Sequence, residues 1–373
     1  MANKIYAAAG SWDWDGTDTK KGLTLCAFDA RTGGLKPLEN VIPGSKIGFA
    51  PVRGKNGVLY TVEETKTSDG RKYGGGGYVI AAKVTDRGKI EIISRIPSLG
   101  VNPSGCALSR DGKYLIAVHH TSTKNVVTKL VRKKDGTVVN KVLHDDAAIV
   151  LFRLEEDGRI GKAVDYAVPK DDHGKTPLLH SVYAVPDSDL FIICDKGEDK
   201  IYLYELADEK LILCDTVRTE DGTNPRYGVF HPEQPVFYAV NEARTQVGTY
   251  LYDAEEKSLF PQAVTELTDD PVIGMPSDVI ITPDGKHLYA ILRMCDLLAE
   301  MDINEEGIPV LVKNTDCGGK NARGMQMDKA GRYLYICNTE SDIITQFAIQ
   351  KNGRLKKKKD IPLERAANLT ILE

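Results

Sequence analysis

Five segments of this sequence place ionisable or polar side chains at both ends of a predicted β-hairpin. The plainest is NPRYGVFHPEQPVFYAVNE, residues 224–242, where Arg226 and Glu242 stand equidistant from Gln234 in the turn. Residues equidistant from a hairpin turn lie side by side, so the two charges are expected to meet at the open end. The same counting pairs His180 with Asp195, Asp278 with Arg293, Arg323 with Asn338, and Ser104 with His119. A single pair of this kind is ordinary structural chemistry, because polar strand ends often fix neighbouring sheets to each other. Three arginines, a glutamate, two aspartates and two histidines at one end are harder to explain that way. Burying so much charge is costly unless it is paired or completed by a ligand. The chemistry such a set supports is capture of an anion.

The elements that carry these residues repeat along the chain. CALSRDGKYLIAVHH, SVYAVPDSDLFIICD, GVFHPEQPVFYAVNE, DVIITPDGKHLYAILR and GMQMDKAGRYLYICNT each join two apolar runs through a turn. Asp-Gly at the turn is hairpin chemistry, since glycine accepts positive φ without steric cost. FAPVRGKNGVLYTVEE is a weaker copy and NKIYAAAG half of one. The equivalent apolar residues are Ile5, Leu59, Leu115, Phe191, Phe237, Leu288 and Leu334, with gaps of 46 to 76 residues. Further strand-and-turn segments such as KIYLYELADEKLIL lie between them. About four strands per repeat of about 40–50 residues is the blade of a β-propeller. The expected fold is therefore all-β: one domain over residues 1–373, with seven antiparallel four-stranded blades. N- and C-terminal strands, NLTILE among them, should close the first blade. The longest gap holds residues 121–146, an insertion expected to form an extra hairpin leaving the disc.

The composition, 42% apolar and 27% charged with a net charge of −4, is that of a soluble globular chain. It argues against general nucleic-acid or anionic-membrane binding. The basic run RLKKKKD reads as a solvated hairpin loop. Seven scattered cysteines without metal spacing suggest reduced thiols, Cys194 and Cys337 in core strands among them. MANKIYAAAGSWDWDG lacks the apolar core of a signal peptide, and no apolar run is long enough to span a membrane. The cytoplasm is the expected compartment.

No cofactor or metal is expected. DWDGTD (Asp13–Asp18) resembles a calcium loop, but Thr24 occupies the place of the EF-hand's last glutamate. GGGG at 74–77 leads into a strand rather than a helix, so it is a loop and not a phosphate cradle. One of His119 and His120 is placed to line the channel. There is no GxSxG elbow for a serine hydrolase.

Several ordered motifs together resemble the seven-bladed lactonase propellers, which include propeller-type 6-phosphogluconolactonases and fungal carboxymuconate-cyclising enzymes. LLHSVYAVPDSDLFIICDKGEDKIYLYEL is similar to that family's His-Ser-Val hairpin followed by Asp-x-Gly-x-Asp. NPRYGVFHPEQPVFYAVNE and PSDVIITPDGKHLYAILR resemble its Gly-Pro-Arg-His…Asn-Glu stretch and its hairpin ending in Asn-Arg. The resemblance implies a site made of His180, Arg226, Glu242 and Arg293; the hairpin counting adds Arg323, Asp195, Asp278 and His119, which with Tyr227 are expected around the substrate. Tyr227 and Leu292 stand where the family has histidine and asparagine, and Gly324 follows Arg323 where Arg-His is usual. The implied activity is hydrolysis of an acidic sugar lactone of the 6-phosphogluconolactone type. Arg226 and Arg293 would hold the anion and the developing oxyanion. His180, titrating near neutrality and oriented by Asp195, would be the base in preference to Glu242. The same residues could serve a cyclase or isomerase of an unsaturated dicarboxylic acid, and a non-catalytic scaffold is the third reading. The expected partner is a small anionic substrate, with neither nucleic acid nor membrane.

Overall fold

The computed structural model describes residues 5–13, 22–121, 126–169, 175–270 and 274–372. Among these residues every regular element is a strand. Seven four-stranded antiparallel sheets hold all the strands but two. The first strands of adjacent sheets pack on one another, so the sheets stand as blades around an axis. The expected seven-bladed propeller is what the chain forms.

Blade 1 shows the expected closure. Ile5–Ser11, Leu23–Asp29 and Gly34–Val41 come from the N-terminal end, and Ala366–Ile371 from the other end supplies the innermost strand. In the remaining blades the chain runs outward from the axis. Second strands such as Val58–Glu63, Leu190–Asp195 and Val236–Asn241 are buried at every position. Their unbroken apolar runs reflect packing against a neighbouring blade on both faces. Outer strands alternate instead, as in Ser258–Glu266.

The run RLKKKKD is not a loop. Leu355–Pro362 is the outermost strand of blade 7, anchored by buried Leu355 and Ile361 while Lys356 to Asp360 face solvent. Lysines on an exposed edge discourage pairing with another sheet. In sequence such a charge run resembles a turn, because only the two ends of the strand are apolar.

Blades are tied to each other by a repeated clasp. The hydroxyls of Tyr60, Tyr238, Tyr289 and Tyr335 donate to the carbonyls of Gly158, Gly307, Gly353 and Gly33, each in the outer turn of the next blade, at 2.7–2.9 Å. The last of these joins blade 7 to blade 1.

Residues 126–143 leave the disc. Val127–Arg132 and Val138–Leu143 form a two-stranded ribbon between the second (Tyr114–His119) and third (Ile149–Leu154) strands of blade 3, paired with no blade strand. All seven cysteines are free thiols, and burial pushes Cys194 up to about 12. Among the described residues no helix is long and apolar enough to cross a membrane. The DWDGTD segment beyond Asp13 lies outside the described residues.

Candidate active site

In blades 3 to 7 the ladder between the first two strands slips near the start of the innermost strand. Such a β-bulge leaves a residue without a ladder partner and re-aims its side chain. The residues within the slips are Ser104, His180, Arg226 with Tyr227, Ser277 with Asp278, and Arg323. Facing them are the residues that immediately follow second strands: Trp12, Glu64, His120, Lys196, Glu242 and Arg293. Serines beside or within the slips clasp the blades, Ser104 Oγ donating to Leu179 O at 2.8 Å and Ser181 Oγ to Arg226 O at 2.6 Å.

Glu242 is the centre of this cluster. Arg293 Nη2 lies 2.7 Å and Arg226 Nε 3.2 Å from its Oε1, while Lys196 Nζ contacts Oε2. Burial pushes the carboxyl up, and the charges of Arg226, Lys196 and Arg293 more than offset this, holding it at about 2. Arg226 is fully buried and also donates through Nη1 to the carbonyl of Ser277 in blade 6. Because the folded pKa lies below the ordinary 4.5, Glu242 stabilises the fold above that value and loses the contribution as pH falls towards about 2. Urea unfolding of wild type should show this acid loss, and Glu242→Gln should lack this part of it. The variant should also be less stable at pH 7 by about 3–5 kcal/mol, since three cations lose their partner.

His180 stands beside this group. Its ring lies 4.9 Å from that of Tyr227 and 5.5 Å from that of His120, edge-on to both. Its Nδ1 is buried and has no hydrogen-bond partner. Burial and the positive charges of Arg226 and Lys196 hold His180 well below 6.5. The expected titration near neutrality is therefore corrected: the imidazole is neutral at pH 7. The Arg226 guanidinium lies 4.6 Å from the Tyr227 ring. On the other side Arg323 stacks on Trp12 at 3.5 Å, and Trp12 Nε1 donates to Glu64 at 2.8 Å. Burial brings Arg323 down to about 9.

The structure thus gathers His180, Arg226, Tyr227, Glu242, Arg293 and Arg323. Three other expected residues lie elsewhere. Asp195 does not orient His180; its carboxylate accepts from the backbone N–H groups of Leu178, Gly197 and Glu198 and from Tyr202 Oη. His119 is fully buried against Gly100, with Nδ1 2.8 Å from Ala148 O. Asp278 accepts from the backbone N–H of Met325 in blade 7 and makes no pair with Arg293; burial raises it to about 7. Of the five predicted hairpin pairs only Arg226–Glu242 forms, and the other partners of Glu242, Lys196 and Arg293, come from the neighbouring blades. Of His119 and His120, the pair expected to supply one channel residue, it is His120 that reaches the cluster; Lys196, Trp12 and Glu64 were missed, though each sits one residue past a second strand. Among the described residues no group of three or more metal-ligating side chains is assembled.

A seven-bladed family described as "Lactonase, 7-bladed beta-propeller" matches residues 14–369. The chain belongs to this lactonase family. One member, the 6-phosphogluconolactonase of Formosa agariphila, is 25% identical over 94% of this chain and 95% of its own. Another, the 6-phosphogluconolactonase of Klebsiella pneumoniae, is 29% identical over 48% of this chain and 56% of its own, so here the match spans about half of the relative. The periplasmic gluconolactonase of Pseudomonas aeruginosa superimposes with a TM-score of 0.83 over 99% of both chains at 20% identity, a likeness of fold.

Proposed function

We propose that this chain hydrolyses a lactone bearing an anionic group, of the 6-phosphogluconolactone type, at the mouth of the central channel. One observation carries the reading: an excess of positive charge adjoins a neutral imidazole with a bare ring nitrogen. Four cations (Arg226, Arg293, Arg323 and Lys196) face two carboxylates (Glu242 and Glu64) and Asp278, a carboxyl raised to about 7, leaving between one and two positive charges over at pH 7. A phosphate monoester near its second ionisation carries about that charge with the opposite sign. The names of the relatives support the same substrate class.

The chemistry follows from the side chains. Water attacks the lactone carbonyl carbon while neutral His180 takes its proton. The carbonyl oxygen becomes an oxyanion held by Arg226 and Arg293, whose planar forks suit it. The ring C–O bond then breaks and the departing ring oxygen takes the proton back from His180. Glu242 is ill suited to be the base, since three cations keep it ionised; it fixes the guanidinium groups in place. A bound dianion offsets the field of Arg226, Lys196 and Arg323, which raises the basicity of His180 once substrate is in place.

The test is pH-stat hydrolysis of 6-phosphoglucono-δ-lactone and glucono-δ-lactone, each against the uncatalysed rate. Acceleration with a lower KM for the phosphorylated lactone is expected, and Lys196→Met should raise that KM by about tenfold, a charge-assisted contact's worth. No acceleration of either lactone would refute hydrolysis of these substrates. Equal KM values, unmoved by Lys196→Met, would refute the phosphate assignment.

A further inference from the structure

The ribbon of residues 126–143 is built to be covered. An isolated two-stranded hairpin is marginal in water, and this one pairs with no blade strand. Its register sets Leu130 opposite Asn140, with Thr128 opposite Val142 and Arg132 opposite Val138. These six share one face, and its apolar members are exposed: Leu130 by 81%, Val138 by 53% and Val142 by 48%. The other face carries Val127 and Val131, which are exposed, and Val139 and Leu143, which are partly buried, together with Lys129 and Lys141.

At the foot of the ribbon lies an open groove of about 650 Å³. Leu99, Tyr166 and Val168 line it and are exposed, with Asp145, Asp146 and Asp165 along it. Asp145 already pairs with Lys66 and Asp165 with Lys210, so the groove's surplus charge is negative and small. The ribbon opposes it with Lys129, Arg132, Lys133, Lys134 and Lys141 against Asp135 alone. One wall of the groove is the outermost strand of blade 3, Ile160–Ala167, whose outer edge is unpaired. The ribbon does not fill its own groove; its Leu130 face stands in solvent.

We propose that two copies of this chain form a two-fold dimer, the Leu130 face of each ribbon lying in the other's groove. The arrangement is isologous: ribbon and groove belong to the same patch, so one rotation satisfies both copies at once. Apolar contact covers Leu130, Val138 and Val142, and the opposed charges set the direction of approach.

Light scattering on the eluting full-length protein, over a dilution series at low and moderate salt, tests this. Wild type is expected at twice the chain mass, dissociating on dilution and more readily as salt rises. Leu130→Asp should give one chain mass without loss of fold, since the side chain is exposed. Arg132→Glu should weaken the dimer and Asp146→Lys in the same chain should restore it. A wild type at one chain mass throughout, or a dimer that persists in Leu130→Asp, would overturn the proposal. Monomeric wild type that sediments with vesicles containing phosphatidylserine would overturn it in favour of a lipid surface.

Discussion

Arg226→Ala is expected to lower kcat/KM for the phosphorylated lactone by about 10²–10³-fold, the usual cost of removing an oxyanion donor. Three contacts end with the guanidinium: the ion pair with Glu242, the bond to Ser277 O and the stacking on Tyr227. The variant should still fold, because Glu242 keeps Lys196 and Arg293 as partners. Its thermal midpoint should fall, since a carbonyl at the junction of blades 5 and 6 loses its donor. Arg226→Lys keeps the charge but not the fork, and it should recover little of the activity. Turnover of Arg226→Ala within a few-fold of wild type, in folded protein, would remove Arg226 from the chemistry and leave it a strut between blades.

His180→Gln should lower kcat by about 10²–10⁴-fold, the span of general-base catalysis. The pH dependence separates this from mere packing. Burial and the neighbouring cations hold the imidazole well below 6.5, so the free enzyme keeps its base form into acid solution. The acid limb of kcat/KM should therefore lie below pH 6.5. A bound dianion stabilises the imidazolium, so the limb of kcat should lie at higher pH than that of kcat/KM. Loss of both limbs in His180→Gln is the expected signature. A variant that retains them would show that another group, His120 or Asp278, titrates with the reaction.

The fold was legible because each blade spells out its own hairpin, with an apolar run, a turn and a second apolar run. The site was legible only in part, and the cause is local. Counting from the turn assumes a regular ladder, whereas the bulges at His180, Ser104 and Arg323 insert a residue just where the count ends. In the first two of those hairpins the count stopped at Asp195 and His119, one short of Lys196 and His120. It reached Glu242 and Arg293 through turn centres set too late: the observed registers pair Val229 with Tyr238 and Val279 with Ala290. The simpler signal, the first residue past each apolar second strand, would have found Lys196 and chosen His120 over His119. What no single-chain pattern announces is that neighbouring blades supply each other's partners, as Arg293 of blade 6 does for Glu242 of blade 5.

The seam in blade 1 sets an order of events that the other blades do not share. Blades 2 to 7 form from contiguous chain, whereas Ala366–Ile371 must find Ile5–Ser11 across nearly the whole sequence. Joining the ends of so long a loop costs about 5 kcal/mol of chain entropy. The seam should therefore zip last during folding and open first during unfolding. Amide hydrogen exchange would register this as early loss of protection in Ala7–Ser11 and Asn368–Ile371, and uniform protection across all seven blades would contradict it. A propeller is cyclic in shape, yet its unfolding is expected to start at one place, the join between two strands that are far apart in sequence.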